Sequence, residues 1–329
     1  MNKIPFSDPN LGELEKKYMN EAYDSTWIGG KGDFIDRFEK KFAKYIGVKH
    51  AITCSSGTSA LHLAYLSCGI RDNSKVAISN NTFIATKNMA CVLSKNVALL
   101  NEDLDTMTIK LPKESEHEFI IGVHLYGNPC DMGQSYRAKY KFIEDCAQSL
   151  GSTYRGKKCG AHGLASVFSF HSSKLITTGE GGMVCTNEDG IEALVSTLKN
   201  QSMLYPYKHQ FIGFNYRMTN IQAAIGLAQL ERIEELISKK RWMMDYYNSN
   251  LSSKFTPQVH QKHSFVVPWA CAYKYEGDVN QLAAHLASKN IETRPGFISE
   301  DLILFPCSTK LTEEELKYVT ETANDFKSN

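Results

Sequence analysis

Ser169-Phe170-His171-Ser172-Ser173-Lys174 runs without a break into Leu175-Ile176-Thr177-Thr178-Gly179-Glu180-Gly181-Gly182. The apolar, β-type run Ser166-Val167-Phe168-Ser169-Phe170 leads into it, so a lysine sits just past a strand, between hydroxyls and a glycine-rich turn. An amine in such a place can have a lowered pKa and form a Schiff base with an aldehyde cofactor, which points to pyridoxal phosphate. An isolated lysine is ordinarily a solvated surface residue. The reading therefore rests on its surroundings.

Upstream of this stretch, short apolar runs alternate with helix-like segments. Ala51-Ile52-Thr53, Val76-Ala77-Ile78, Val97-Ala98-Leu99-Leu100, Phe119-Ile120-Ile121-Gly122-Val123 and Lys141-Phe142-Ile143 are the runs. Several are apolar throughout, the pattern of a mostly parallel sheet covered on both faces by helices, and the fold class is α/β. Leu11 to Tyr23 and Phe34 to Tyr45 have helical apolar spacing on either side of a turn-rich hinge, Trp27-Ile28-Gly29-Gly30-Lys31-Gly32. Thr219 to Leu251 reads as one long helix, kinked or straight, with small residues on its early turns. It leads from a large domain, residues 1–230, into a smaller C-terminal α+β domain, residues 231–329. There Ala283 to Lys289 and Thr312 to Phe326 read as helices, the latter opened by a capping box from Thr312 to Glu315.

At 329 residues, with 42% hydrophobic and 22% charged side chains, the chain is long enough for a sizeable core and two domains. A formal net charge of +1 gives no electrostatic case for nucleic acid or an anionic membrane. The start lacks the apolar run of a signal peptide and no segment is long enough to span a membrane, so the expectation is a cytoplasmic protein. The nine cysteines contain no Cys-x-x-Cys pair, which argues for reduced thiols rather than disulfides or structural zinc. His260 and His263 lack nearby carboxylate or thiol partners and read as loop residues, so no metal site is expected.

Further constellations carry candidate chemistry. Ser56-Gly57-Thr58 opens a helix, either as a phosphate site of free N–H groups and hydroxyls or as a ligand-free N-cap. Asp145 in Glu144-Asp145-Cys146-Ala147-Gln148 follows a strand, where it either pairs with a protonated pyridine nitrogen or caps the next helix. Phe83 in Asn81-Thr82-Phe83 either stacks on a cofactor ring or belongs to the core. Gly213-Phe214-Asn215-Tyr216-Arg217-Met218 mixes polar and apolar groups just before the small-residue helix, as a site or an interface would.

These motifs, with Val123-His124-Leu125-Tyr126-Gly127 and Ala223-Ala224-Ile225-Gly226, stand in the order seen in the DegT/DnrJ/EryC1/StrS sugar aminotransferases. The chain resembles that family over nearly its whole length. The resemblance implies an aspartate aminotransferase-like (fold type I) enzyme with pyridoxal 5'-phosphate as cofactor. It makes Lys174 and Asp145 catalytic: Lys174 as the Schiff-base lysine and proton shuttle, Asp145 as partner of the pyridine nitrogen. It gives the cofactor's phenolic oxygen to Gln148, its ring face to Phe83, and its phosphate to Gly57, Thr58 and Ser169, with Asn215 reaching in from the second subunit of a homodimer. His171, Trp27, Arg217 and Arg294 fall toward the sugar, although a packed or capping role for His171 stays open.

Sugar 3-dehydratase relatives carry histidine in place of the lysine, so Lys174 favours aminotransfer. Asp24-Ser25-Thr26-Trp27-Ile28, Tyr154-Arg155-Gly156-Lys157-Lys158, Ile176-Thr177-Thr178-Gly179-Glu180-Gly181-Gly182 and the run from Asn215 to Arg232 are similar to the members that aminate C4 of a nucleotide-linked 4-keto-6-deoxyhexose with L-glutamate. The implied substrate is GDP-4-keto-6-deoxy-D-mannose, giving GDP-perosamine; the alternative is dTDP- or UDP-4-keto-6-deoxyglucose, giving a viosamine nucleotide. A reading of another class is a non-catalytic cofactor-binding regulator. The chain departs from the family pattern twice: it is shorter between Ile109 and Phe119, and after Glu292-Thr293-Arg294-Pro295-Gly296-Phe297 it reaches Leu304-Phe305-Pro306-Cys307-Ser308 without the family's Pro-x-His segment and helix.

Overall fold

The computed structural model describes residues 2–133, 139–297 and 299–327. Helices α1 (Glu13–Asp24) and α2 (Asp33–Ile46) come first, followed by β1 (His50–Cys54), α3 (Gly57–Cys68), β2 (Lys75–Ser79), α4 (Ile84–Leu93), β3 (Asn96–Leu100), β4 (Phe119–Val123) and β5 (Lys141–Asp145). The ribbon β6 (Thr153–Tyr154) and β7 (Lys157–Lys158) precedes β8 (Ala165–Ser169), β9 (Gly182–Thr186) and α5 (Asp189–Leu198). A second ribbon, β10 (Met203–Tyr205) and β11 (Lys208–His209), leads to α6 (Asn220–Glu231) and α7 (Ile233–Asn250). The chain closes with β12 (Phe255–Pro257), β13 (Ser264–Phe265), β14 (Cys271–Tyr275), α8 (Val279–Ser288), β15 (Arg294–Pro295), β16 (Leu302–Phe305) and α9 (Glu313–Asn324).

The main sheet has seven strands in the order β1-β9-β8-β5-β4-β2-β3. Strands β3, β2, β4, β5 and β8 run parallel, whereas β9 pairs antiparallel with both β8 and β1. β4 and β9 are buried along their whole length, which is why their sequences are continuously apolar rather than alternating. Strand β9 was not among the runs read from the sequence. It begins inside the glycine-rich turn, and Gly182 is required there because a Cβ would lie 2.3 Å from the Ser56 carbonyl oxygen.

One face of the sheet is covered by α1, α2 and α6. Phe38, Phe42, Phe168 and Phe170 pack there edge to face, with Phe42 centred 5.0 Å from Phe168 and 5.5 Å from Phe170. The small residues of α6 let α2 approach closely: a Cβ on Gly226 would meet the Phe38 ring at 2.7 Å. The stretch from Thr219 to Leu251 forms two helices rather than one, broken at Arg232, whose backbone leaves the helical region (φ −100°, ψ 10°). The Arg232 guanidinium bonds the Glu15 and Glu235 carboxylates there, and the break redirects the chain into the second layer.

That layer is a four-stranded antiparallel sheet, β12-β14-β16-β15. Tyr247, Tyr273, Phe255 and Phe305 centre its core. Ile4 belongs to it too, bridging beside Ile291: its N–H donates to the Asn290 carbonyl at 2.8 Å and its carbonyl accepts from the Glu292 N–H at 2.9 Å. Thr312 caps α9 through its side chain and closes a capping box with Glu315. Every cysteine is a free thiol, and among the described residues no helix is long and apolar enough to cross a membrane.

Phe42 is fully buried between α2 and the sheet. Phe42→Ala should destabilise the fold by about 3–5 kcal/mol, the usual range for emptying a buried phenylalanine site. Denaturant unfolding measures this, and a loss below about 1 kcal/mol would show that the α2 interface is not the packed core described.

Candidate active site

The parallel strands all end on one edge of the sheet, the edge where α/β folds hold ligands. A cavity of about 330 Å³ opens there, between the ends of β4, β5 and β8 and the starts of α3 and α4. Gly57, Thr58, Phe83, Asp145, Gln148, Ser169, His171, Lys174 and Arg294 all line it. Residues more than two hundred positions apart thus converge on one space.

Asp145 ends β5 and is almost fully buried. One carboxylate oxygen accepts from the Thr86 hydroxyl at 2.7 Å, and the other from the Ala147 N–H at 3.1 Å. Thr86 is itself bonded to Thr82 at 2.8 Å, so the start of α4 orients the carboxylate. These bonds fix the direction in which the carboxylate faces the cavity.

Lys174 forms part of the cavity wall, yet protein surrounds its amine. Loss of water around the ammonium pulls its pKa down to about 8; Asp145 opposes this, while Arg294 and Lys240 add to it. The amine lies 4.6 Å from the centre of the Trp269 ring. Trp269 is fixed by its indole N–H to the Ser173 carbonyl at 2.9 Å and by stacking parallel to Tyr126 at 6.3 Å.

The start of α3 forms the opposite wall. Ser56 caps the helix by accepting from the Ser59 N–H, and the helical ladder begins only at Ala60 N–H to Ser56 C=O. The N–H groups of Gly57 and Thr58 therefore precede the ladder, at the positive end of the helix. A Cβ on Gly57 would lie 2.9 Å from the Ser169 Cβ, so only glycine lets that hydroxyl sit against the helix start. Gln148 accepts from the Tyr126 N–H at 2.8 Å through its carbonyl oxygen, which leaves its NH₂ as the donor for a ligand. Phe83 precedes α4 and remains 57% exposed, with its ring 6.2 Å from Phe297. A pyridoxal phosphate fits this set: hydroxyls and a helix start for its phosphate, an aromatic face, a carboxylate and an amine.

His171 is exposed, bonded to the Ser173 hydroxyl at 3.0 Å and 3.9 Å from Glu180. The Arg294 guanidinium lies over the Phe6 ring at 4.4 Å. Trp27, Asn215 and Arg217 do not enter the cavity of their own chain. Trp27 is 60% exposed, Asn215 is exposed and bridges to Asn200, and Arg217 donates to the Asn200 carbonyl oxygen at 2.8 Å. Arg217 also packs on Gly30, so these residues cluster around the start of α6.

Sequence reasoning missed Trp269, Thr86 and Tyr126. Thr86 follows Thr82 by one helical turn and was open to recognition on that spacing. Nothing local marks Trp269. His124, Glu144 and Cys146 are the one set of metal-type donors gathered among the described residues. Glu144 instead accepts from the N–H groups of Gly160, His162 and Gly163 and pairs with His124 Nε2, while His124 Nδ1 accepts from the Cys130 N–H. Protein groups already occupy these donors, so the cluster ties β4 to β5.

Residues 9–324 match the DegT/DnrJ/EryC1/StrS aminotransferase family. The chain belongs to this family. A relative in Escherichia coli named GDP-perosamine synthase is 39% identical over 362 aligned positions, covering 100% of both chains. One of the same name in Caulobacter vibrioides is 38% identical over 96% of this chain and 89% of its own. A Streptococcus pneumoniae chain solved in its PLP form shares the fold at a TM-score of 0.90, with 22% identity and 98% of each chain covered. The protein is accordingly a pyridoxal phosphate-dependent sugar aminotransferase of fold type I.

With the cofactor stripped from the protein, the Lys174 amine should acylate with a pH midpoint near 8 rather than near the ordinary value of about 10.4, because only the unprotonated amine is a nucleophile. Peptide mapping after timed acylation at each pH reads this directly. A midpoint near 10 would show that the cavity does not desolvate the amine.

Proposed function

We propose that the chain transfers the amino group of L-glutamate to C4 of GDP-4-keto-6-deoxy-D-mannose, giving GDP-perosamine. The observation that carries this reading is the desolvated Lys174 amine facing the same cavity as the buried Asp145 carboxyl group. Full-length relatives named GDP-perosamine synthase support the sugar and its nucleotide. The bound cofactor supplies an electron sink for carbanions. Asp145 would keep the proton on its ring nitrogen, Gln148 would donate to its phenolic oxygen, and Phe83 would cover its face. Gly57, Thr58 and Ser169 would hold the phosphate.

Lys174 moves the protons. In the first half-reaction it takes the α-proton of glutamate; in the second it delivers a proton to C4 of the sugar. His171 and Arg294, both exposed where they line the cavity, would face the sugar. Loss of turnover, leaving a cofactor-binding regulator, is disfavoured because both Lys174 and Asp145 are in place.

Trp27, Asn215 and Arg217 cluster on an exposed face away from their own cavity, which supports a homodimer in which each chain completes its partner's site. Residues 1–230 then form the cofactor-binding domain and residues 231–329 the smaller one, in a cytoplasmic enzyme whose thiols are reduced.

Steady-state kinetics with glutamate and GDP-4-keto-6-deoxy-D-mannose, against the dTDP- and UDP-linked 4-keto-6-deoxyglucoses, tests the substrate, with products identified by mass and NMR. The GDP sugar should be preferred by about tenfold, equivalent to roughly 1.4 kcal/mol in transition-state binding. A strong dTDP or UDP preference replaces perosamine by viosamine, and preference for a 3-keto sugar rejects C4 amination. Lys174→Ala and Asp145→Ala should each lower kcat by at least about 10²–10⁴-fold. A fully active Lys174→Ala enzyme would sink the mechanism.

Mixing inactive Lys174→Ala chains with inactive Asn215→Ala chains should restore part of the activity, since a mixed dimer contains one intact site. No recovery despite measured subunit exchange would reject the shared site.

A further inference from the structure

Behind Trp269, on the side away from the cofactor cavity, two thiols face each other. Cys271 in β14 and Cys307 just beyond β16 are both buried, with their sulfurs 3.6 Å apart. Lys240 of α7 is buried beside them and donates to the carbonyl oxygens of Trp269 and Cys307. Among the described residues no carboxylate forms an ion pair with Lys240, the nearest acidic influence on the thiols being Asp245 of the same helix. Tyr247 of α7 and Tyr273 of β14 complete the titratable surroundings, and both are held neutral by burial.

Such an arrangement favours one thiolate shared by the pair. One S–H lies between the two sulfurs, and the Lys240 ammonium stabilises the anion left on the pair, which holds the Cys307 pKa below that of an ordinary thiol. A buried ammonium without a carboxylate is otherwise costly, so the thiolate also answers a need of the fold. Access exists as well. Cys271 borders a separate cavity of about 220 Å³ together with Gln258, His260 and Tyr273, large enough to admit a small oxidant.

We infer that Cys271 and Cys307 are a redox modification site, oxidised by a peroxide to a reversible disulfide that alters the active site through Trp269. Hydrogen peroxide takes two electrons from the pair: Cys271, the sulfur that borders the cavity, passes its proton to Cys307 and attacks one peroxide oxygen as the thiolate, giving a sulfenic acid and hydroxide. The Cys307 thiol then displaces that oxygen as water, and an S–S bond forms. Two thiols and one peroxide thereby become one disulfide and two waters.

The bond requires the sulfurs to close from 3.6 Å to about 2.05 Å, which draws the end of β16 toward the start of β14. Trp269 lies two residues before Cys271 and holds both Lys240, through its carbonyl, and the Lys174 loop, through its indole N–H. Oxidation also removes the thiolate that offsets Lys240, a cation that already depresses the Lys174 pKa. Both changes reach Lys174.

The test uses the full-length enzyme with its cofactor, treated with hydrogen peroxide until the exposed thiol of Cys91 is fully oxidised. Peptide mapping should then find Cys271 and Cys307 joined, two hydrogens lighter than the reduced pair. Turnover should fall at least fivefold and return with dithiothreitol, and the pH midpoint of the bound cofactor's visible absorption should move. Cys271→Ser should keep its activity through the same treatment. Both thiols remaining free to alkylate once Cys91 is consumed would overturn the site. A disulfide that leaves turnover and the absorption midpoint unchanged would overturn the link to Lys174. The mapping needs no sugar substrate and no variant, so its outcome stands apart from the substrate assignment and from the folding of Cys271→Ser.

Discussion

An amine that must act as nucleophile and base near neutral pH has to lose its water without finding a strong counter-ion, and the architecture around Lys174 meets that constraint. Two influences favour the ammonium: the Trp269 face, worth about 0.5–2 kcal/mol as a cation–π contact, and the Asp145 carboxylate. Burial outweighs both, since the amine ends with a pKa of about 8. The net bias against the charged form is on the order of 3 kcal/mol, which the packing of the loop after β8 must sustain. Thr86 and Ala147 hold the two Asp145 oxygens in place, and the attraction of that carboxylate for the ammonium is smaller than the cost of burying the charge.

The sheet accounts for how these groups meet. Val123, Asp145 and Val167 stand in register across β4, β5 and β8, so the strands end side by side and whatever follows each of them faces one space. Glu144, one residue before Asp145, holds three backbone N–H groups and His124 on the opposite face of β5. A strand anchored so firmly on one side presents the neighbouring carboxylate on the other with little freedom.

The parts of the fold and site legible in the sequence are those encoded over a few residues. Ser56-Gly57-Thr58 is a cap and a close-approach glycine, Glu144-Asp145 a strand end, and Ser169 to Lys174 a strand end with its loop; each lies where the local pattern put it. What escaped depends on partners distant in sequence. The antiparallel direction of β9 is settled by which neighbours it finds, and its first residue is hidden in a glycine-rich turn. The break at Arg232 follows from Glu15 more than two hundred positions earlier, and no helical period announces it. Trp269 becomes a site residue only because β14 returns beneath the Lys174 loop. Trp27, Asn215 and Arg217 were named by resemblance, and they lie outside the cavity of their own chain.

The stretch after Phe297 lies more than a hundred positions from Asp145 and Lys174 in the sequence. Alignment with the E. coli relative spans 362 positions against the 329 residues of this chain, so part of the relative has no counterpart here. The chain passes from Phe297 to the next strand, β16, within a few residues, leaving β15 as a short edge strand with Arg294 exposed. Phe297 still packs against Tyr126 and Phe83, so the aromatic wall beside the cofactor is intact. Gly57, Thr58, Asp145, Ser169 and Lys174 line the cavity from other parts of the chain. Arg294 and His171 are exposed where they line it, so a molecule entering from solvent meets them before it reaches the buried Asp145.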